Sequence, residues 1–109
     1  MKAYCQLRID CVENVYTIIS EILGVKVDDY NNGWIYEVKV NELSYIDIIK
    51  MFLNILNNKY EELNTLQITK DDITFWILIE NDGQTNMEFD SELMKNLGKT
   101  GVSLCISFW

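Results

Sequence analysis

The sequence lacks histidine and proline altogether and contains a single arginine among its 109 residues. The absence of histidine excludes Ser–His and Cys–His nucleophilic schemes, histidine acid–base catalysis and histidine-ligated metal centres. Glycine is also scarce, and its five positions never approach the spacing of a phosphate-binding loop or a dinucleotide fingerprint: Gly24, Gly33, Gly83, Gly98 and Gly101. We therefore expect no enzymatic activity, no catalytic residues and no bound cofactor.

Cysteine is limited to Cys5, Cys11 and Cys105. Their odd number, without a CxxC pair or a nearby histidine, argues against both a disulfide framework and a zinc site. We expect all three to serve as small hydrophobic residues in a reducing compartment. Cys11 falls in the first turn of a predicted helix, where the helix dipole favours a thiolate, but no base accompanies it and a structural role is favoured.

Long apolar runs are missing as well. No run reaches the ~18 residues that a membrane-spanning helix needs. Residues 1–20 do not show the basic-then-apolar layout of a signal peptide. The sequence therefore predicts a cytoplasmic protein that does not associate with membranes.

Basic residues are also few. The chain has 17 acidic and 9 basic residues, for a formal net charge of −8, and its basic residues do not cluster. Binding to a nucleic-acid backbone needs concentrated Lys and Arg, so we expect no nucleic-acid partner. An acidic balance favours either plain solubility or electrostatic steering toward a basic protein partner.

Three adjacent pairs of carboxylates occur, at Asp28–Asp29, Glu61–Glu62 and Asp71–Asp72. Neighbours in an extended chain point to opposite faces, so such pairs seldom form a shared carboxylate site. The segment 80–90 is rich in oxygen ligands but lacks the spacing and the closing glutamate of an EF-hand, which favours a solvated turn. We expect no metal ligands.

Alternation of apolar and polar residues predicts strands at 3–9, 34–40 and 102–109. The run ITFWILI at 73–79 is apolar on both faces and is typical of a central strand. In the second strand, Trp34 follows an Asn-Asn-Gly turn and shares its face with Tyr36, Val38 and Val40. We therefore expect Trp34 to lie in the core rather than in a site.

Three helical segments separate these strands. Asp10 and Glu13 have the form of a capping box that opens a first helix, which closes at Gly24. Ser44 and Asp47 open a second helix, which Lys59–Gln67 continues after a bend near Asn57–Asn58. A third helix runs from Ser91 to Leu97, opened by Asp90 or Ser91 and closed by Gly98.

The chain is predicted to form a single α+β domain over residues 1–109. The order β-α-β-α-β-α-β suits a two-layer sandwich, with a four-stranded, largely antiparallel sheet and helices on one face, as a ferredoxin-like variant. The usual ferredoxin-like arrangement joins its second and third strands by a short turn, whereas a long helix occupies that connection here.

If the helices lie on one side, alternation assigns a second set of strand residues to the opposite side of the sheet. We call this set the open face: Tyr4, Gln6, Arg8, Ile35, Glu37, Lys39, Thr74, Trp76, Leu78, Glu80, Ser103, Cys105, Ser107 and Trp109. Its aromatic and apolar content is typical of an interface, which predicts homodimerisation or partner binding. The alternative is that the long second helix or a loop covers this face.

Eight residues form the predicted protein-interaction site, by position on this face or beside it. The predicted anchors are Tyr4, Ile35, Trp76 and Trp109, with Leu78 beside them. The predicted sources of negative charge are Glu37, Glu80 and Asp82.

Several segments together resemble a family of small bacterial domains of unknown function, about 110–140 residues long. The resemblance is carried by a first strand AYCQLRI, a helix ending in Leu-Gly (EILGVK), a Gly-Trp turn (NGWIYEV), the amphipathic segment SYIDIIKMFLNIL, the aromatic-rich strand ITFWILIEN and the closing FDSELMKNLGKTGVSLCISFW. It covers essentially the whole chain. It is a pattern of apolar and turn residues without a catalytic signature.

Some members of this family are similar to immunity proteins. The resemblance, by analogy, implies a small acidic protein that neutralises a cognate toxin through protein–protein interaction. Two alternatives stay open: a homodimer that self-associates through the open face, and a small-molecule binder with a pocket between the sheet and the second helix.

Overall fold

A computed structural model describes residues 2–80 and 86–109 of the chain. The strands are β1 (Ala3–Ile9), β2 (Trp34–Lys39), β3 (Ile73–Ile79) and β4 (Ser103–Phe108). The helices in the described residues are α1 (Tyr16–Leu23), α2 (Tyr45–Leu56), α3 (Tyr60–Thr65) and α4 (Ser91–Thr100). Short 3₁₀ turns, Glu13–Val15 and Lys70–Asp72, precede α1 and β3.

The four strands form one sheet in the order β2-β1-β3-β4. β1 pairs with β2 and with β3 in antiparallel fashion, whereas β3 and β4 are parallel. The predicted α+β class and the β-α-β order along the chain are confirmed, and the sheet is open and mixed. This strand order, with its parallel edge, does not establish the ferredoxin-like variant that the sequence suggested.

The start of the first helix differs from the prediction. Asp10 caps no helix, because its backbone N–H donates to Asp72 O at 2.8 Å and so continues the β1–β3 pairing by one residue. A 3₁₀ turn follows, α1 begins only at Tyr16, and Val12 is 66% exposed instead of facing the core. The predicted end is confirmed: Gly24 has a φ of 67°, the left-handed conformation that glycine adopts most easily.

The second helical region follows its sequence signals closely. The Ser44 hydroxyl accepts the Asp47 backbone N–H at 3.2 Å, which caps α2 as predicted. The bend predicted near Asn57–Asn58 is confirmed, since Asn58 has a φ of 64° between α2 and α3. Asparagine tolerates this conformation better than most residues, which explains why the bend falls there.

The third predicted helix is longer than expected. The Asp90 carboxylate accepts the Leu93 backbone N–H at 2.8 Å and caps α4. Gly98 lies inside α4 rather than ending it, and the helix stops at Gly101, whose φ is 72°. Residues 86–89, part of the segment predicted to be a solvated turn, form neither a helix nor a strand. Residues 81–85 of that segment lie outside the described residues.

Trp34 lies in the core, as predicted, and is 1% exposed. Its indole Nε1 donates to Ser20 Oγ at 3.0 Å, and that oxygen is 2.9 Å from the Tyr30 hydroxyl, so the polar atom of the tryptophan is satisfied inside. Phe52 of α2 lies with its ring centroid 5.6 Å from that of Phe75 in β3. These contacts fix α1 and α2 on the same side of the sheet.

The same side of the sheet is not covered evenly. Ile106 and Phe108 of β4 point to the helix side, as alternation predicted, because they pair with the core residues Ile77 and Ile79. They are nevertheless 40% and 46% exposed, because β4 is the last strand of the sheet. Apolar patterning alone does not distinguish an edge strand from a central one.

The burial of Trp34 gives a direct stability prediction. We expect Trp34→Ala to lower the free energy of unfolding by about 3–5 kcal/mol, because it opens a large cavity and removes the partner of Ser20. Trp109→Ala is the matched control, since Trp109 is 59% exposed, and it should change stability by less than about 0.5 kcal/mol. Urea unfolding followed by far-UV circular dichroism measures both, and equal effects would contradict the placement of Trp34.

Candidate functional site

The open face forms a continuous surface across all four strands. In its middle row, Glu37 of β2 lies opposite Gln6 of β1, Gln6 lies opposite Trp76 of β3, and Trp76 lies beside Cys105 of β4. Parallel rows on either side bring Tyr4 next to Leu78. The alternation read from the sequence therefore places these residues on one face.

Within the described residues, no helix covers this face. The core cluster and the hydrophobic residues packed against it do not include the apolar members of the open face, which are Tyr4, Ile35, Trp76, Leu78 and Trp109. The long α2 packs on the other side, where the Phe52 ring meets Phe75 and Tyr36. The open face is thus available to solvent or to a partner.

A chain of polar contacts crosses the centre of this face. The Arg8 guanidinium carbon lies 4.2 Å from the centre of the Trp76 ring, a cation–π contact. Arg8 Nε donates to Gln6 Oε1 at 2.6 Å, and Gln6 Nε2 donates to Glu37 Oε1 at 2.6 Å. Trp76 Nε1 donates to Thr74 Oγ1 at 3.1 Å. This network holds Trp76 in one orientation and leaves it half-buried.

The surroundings of Arg8 shift its pKa without changing its charge. Partial burial lowers the pKa of Arg8, and the Cys105 and Glu37 side chains act in the opposite direction. The guanidinium stays protonated at physiological pH because its ordinary pKa is far higher. The face therefore carries a fixed positive charge on an aromatic ring, with a carboxylate two side chains away.

Two concave grooves meet at Ile35, at one end of the open face. The first groove, of about 400 Å³, lies where β1 ends and β3 begins, and is lined by Arg8, Asp10, Asp72 and Trp76 among others. The second groove, of about 220 Å³, lies between residues 26–32 and β2. Both grooves are also lined by Asn32 and Gly33.

The lining of these grooves is strongly acidic. We call the six carboxylates that line one groove or the other the acidic rim: Asp10, Asp28, Asp29, Glu37, Asp71 and Asp72. The basic residues in the two linings are Arg8 and Lys26. Within the described residues, no three His, Cys, Asp or Glu side chains are grouped so that they could hold a metal ion. The rim instead creates a negative potential beside an aromatic surface.

Cys11 lines the first groove and does not behave as its sequence position suggested. Burial, together with the nearby carboxylates of Asp10 and Asp72, raises the pKa of the Cys11 thiol to about 11. The expected lowering by a helix dipole does not occur, because α1 begins five residues later, at Tyr16. The Cys11 thiol lies 3.6 Å from the backbone oxygen of Ile9, to which it donates.

A third cavity, of about 480 Å³, lies among α2, α3 and α4 rather than between the sheet and α2. Its polar lining includes three asparagines, Asn54, Asn57 and Asn96, and three charged residues, Lys50, Asp90 and Glu92. The Tyr60 hydroxyl is buried there without a hydrogen-bond partner among the described residues; burial raises the pKa of Tyr60, and the Thr100 side chain acts in the opposite direction. This cavity lies in the helical layer, on the opposite side of the sheet from the open face.

The structure places the eight predicted site residues as follows. Half-buried on or beside the open face are Tyr4, Ile35, Trp76, Leu78 and Glu80, whereas Glu37 and Trp109 are exposed. Glu37 and Trp76 are joined through Gln6 and Arg8, and Ile35 separates the two grooves. Trp109 lies at the far end, where its backbone N–H donates to Ile79 O at 3.1 Å. Asp82 lies outside the described residues.

Of the six residues of the acidic rim, only Glu37 was predicted as a site residue. The sequence did not indicate that the six carboxylates lie together. Sequence reasoning read each aspartate pair as two side chains on opposite faces of the chain, and the contact of Asp10 with Asp72 requires that β1 and β3 be neighbours. A usable signal was present: Asp10 directly follows β1 and Asp72 directly precedes β3, so antiparallel pairing of these strands brings the two together. The choice of neighbour is a property of the whole sheet, and no local pattern specifies it.

The contact between Arg8 and Trp76 can be measured by a double-mutant cycle. We expect a coupling free energy of about 0.5–1 kcal/mol from Arg8→Ala, Trp76→Ala and the double variant in urea unfolding. A cycle between Arg8 and Trp109 serves as the control, because Trp109 is not the ring that Arg8 contacts, and it should give no coupling. Equal coupling in the two cycles would contradict the stacked arrangement.

The raised pKa of Cys11 predicts slow thiol chemistry. In Cys105→Ser, where Cys11 is the remaining thiol that is not fully buried, the alkylation rate with iodoacetamide should rise with pH until about 11. At pH 8 we expect a rate about tenfold below that of a free cysteine, since the hundredfold lower thiolate fraction is partly offset by higher nucleophilicity. The urea-unfolded chain is the control, and a folded-state profile with its midpoint near 9 would contradict the prediction.

Comparison with known proteins adds no relative: no family model, no curated protein and no solved structure matches this chain. Across residues 2–80 and 86–109, none of the helices is both long enough and apolar enough to cross a membrane. The resemblance to a bacterial family of unknown function therefore stays a prediction, and the function proposed below rests on the geometry of the surface.

Proposed function

We propose that this chain is a non-enzymatic binding protein that docks a basic protein partner on its open face and acidic rim. The observation that carries the proposal is the position of the rim: six carboxylates line the two grooves that meet at the Ile35 end of an aromatic, uncovered sheet face. Concave acidic grooves beside aromatic side chains suit a partner that presents Lys and Arg around an apolar centre.

Charge supports this proposal through the rate of association. The chain has a net charge of −8, and the acidic rim concentrates six carboxylates against two basic residues at one end of the face. Such a field steers an oppositely charged partner and raises its association rate at low salt. The rim would also disfavour acidic partners, because like charges brought together cost free energy.

The aromatic residues support the proposal through affinity. Trp76 is already held by Arg8 and Thr74, so a partner that packs against it need not immobilise a mobile side chain. Trp109 is 59% exposed and offers a second large apolar surface. Tryptophan and arginine are the side chains most often found as interface hot spots.

We propose, more specifically, that the chain is an immunity-type protein that occludes a basic toxin or nuclease in the cytoplasm. It is supported by the acidic composition, by the uncovered aromatic face and by the family resemblance. An immunity protein acts by occupying its partner's surface, so it needs complementarity of shape and charge rather than catalytic groups. We propose that Tyr4, Ile35, Trp76 and Trp109 serve as anchors and that the rim, with Glu80 and Asp82, supplies charge.

A second candidate is a homodimer formed through the open face. It is favoured by the β3 and β4 part of the face, where Thr74, Trp76, Leu78, Ser103, Cys105 and Ser107 carry no charge of their own and Arg8 of β1 lies over the Trp76 ring. Two such surfaces could meet without bringing the acidic rims together. A wild-type dimer that Trp76→Glu converts to a monomer in sedimentation would support this candidate over a foreign partner.

For the fold we propose a rearranged relative of the ferredoxin-like sandwich. The central antiparallel pair β1–β3 with helices on one side supports it, and the parallel β4 and the helical β2–β3 connection are the departures. An experimental structure of a protein sharing the segments quoted above would test whether the strand order is common to them.

If the chain is an immunity-type protein, we expect the gene beside it to encode a large secreted protein whose C-terminal domain is the toxin. The binding proposal is tested with that C-terminal domain. We expect co-purification of the two, and Trp76→Ala should weaken binding at least about 30-fold, the effect of losing an interface anchor. Asp28→Asn/Asp71→Asn should lower the association rate constant about fivefold at ~20 mM salt, with a smaller effect at ~0.5 M. Stopped-flow fluorescence or surface plasmon resonance gives these rates.

The matched control is Glu42→Gln/Glu61→Gln, which removes two exposed carboxylates outside the rim and changes the net charge by the same amount. If both double variants slow association equally, only total charge matters and the rim is not the docking site. If no such neighbouring gene exists, or if its product does not bind, the immunity-type proposal is wrong.

A further inference from the structure

The outer edge of β4 has a definite set of unpaired backbone groups. Along a strand, the N–H and C=O of one residue point to the same side, and the side alternates from residue to residue. Trp109 N donates inward to Ile79 O at 3.1 Å, so Ser107, Cys105 and Ser103 also face β3. The N–H and C=O groups that point outward are therefore those of Leu104, Ile106 and Phe108.

This edge lacks the features by which proteins usually prevent strand pairing. The segment Ser103–Phe108 contains no charged residue, no proline and no glycine, and β4 pairs only with β3 in the part of the chain that the structure describes. The opposite edge strand, β2, carries Glu37 and Lys39. Charged side chains on an edge strand oppose the addition of another strand, and an uncharged apolar edge favours it.

The side chains that accompany the outward backbone groups are apolar, and two of the three are exposed. Ile106 is 40% exposed and Phe108 is 46% exposed, whereas Leu104, on the same side of the sheet, is half-buried against the core. The three residues are spaced symmetrically about Ile106. This symmetry matters because a two-fold interface requires a surface to be complementary to itself.

We propose that β4 pairs in antiparallel fashion with β4 of a second copy of this chain, with the two-fold axis at Ile106. Ile106 then lies opposite the second copy's Ile106, and Leu104 lies opposite the second copy's Phe108. Each of these three pairs exchanges two backbone hydrogen bonds, so the outward groups of both strands are satisfied. The product is a continuous eight-stranded sheet with both helical layers on one side.

The side-chain pairs suit this register on both sides of the sheet. On the helix side, Ile against Ile and Leu against Phe are favourable cross-strand pairs that remove exposed apolar surface from water. On the other side, Cys105 faces the second copy's Ser107, and both side chains are small. No like charges meet within the paired segment, because it contains none.

The size and charge of the interface set its expected strength. A single six-residue edge pairing lies at the low end of protein interfaces in area, so we expect a dissociation constant on the order of 10 µM. Each copy carries a net charge of −8, so association should strengthen as salt screens the repulsion. This dimer does not use the open face and stands independently of the proposed partner binding.

Sedimentation velocity between about 2 and 200 µM tests the proposal on the full chain. We expect the wild type to shift from monomer to dimer over this range, and Ile106→Lys to remain monomeric because two ammonium groups would meet on the axis. Ile18→Lys is the matched control, since Ile18 of α1 is 43% exposed, and it should dimerise like the wild type. Trp76→Glu should also dimerise, which separates this interface from an open-face dimer.

Cross-linking tests the register without relying on a disruptive charge. In the Cys105→Ser background, Ile106→Cys places two thiols across the axis with Cα atoms about 5.5 Å apart, which a disulfide can bridge. Mild oxidation should give a covalent dimer, whereas Phe108→Cys, which lies opposite Leu104, should not. Three results would overturn the proposal. The wild type could stay monomeric at about 200 µM, or dimerisation could be lost in Trp76→Glu but kept in Ile106→Lys. The third is equal cross-linking of the two cysteine variants.

Discussion

The antiparallel pairing of β1 with β3 is the constraint on which most of this molecule depends. It sets Leu7 beside Phe75 on the helix side and Gln6 beside Trp76 on the other, so one register creates both the core and the open face. It also brings Asp10, at the end of β1, to Asp72, at the start of β3. A shift of one residue would move the core residues into solvent and disperse the acidic rim.

Much of the architecture was readable from the sequence because the chain alternates so regularly. The bounds of β1, the burial of Trp34 and the capping of α2 by Ser44 each followed from a local pattern that the tertiary structure keeps. The open face was predictable for the same reason. Two-residue periodicity assigns faces even when strand order is unknown.

The sequence-based predictions failed where a local signal competes with pairing between strands that are distant in sequence. Asp10 and Glu13 form a plausible capping box, but the Asp10 N–H is taken by Asp72 across the sheet, and the helix begins later. Gly98 and Gly101 are equally good helix stops in sequence, and the structure uses the second. The Arg8–Trp76 contact joins neighbours on two strands 68 positions apart, which no window of sequence reveals.

The position of β1 in the sheet has a consequence for how the chain is made. Of the four strands β1 is synthesised first, yet it lies between β2 and β3, and β3 begins only at residue 73. At synthesis rates of about 5–20 residues per second, one edge of β1 waits several seconds for its partner. During that interval the hydrophobic side chains of Cys5, Leu7 and Ile9 are attached to an unpaired strand. Nascent chains that carry this domain should therefore depend on ribosome-associated chaperones more than the small size of the domain suggests.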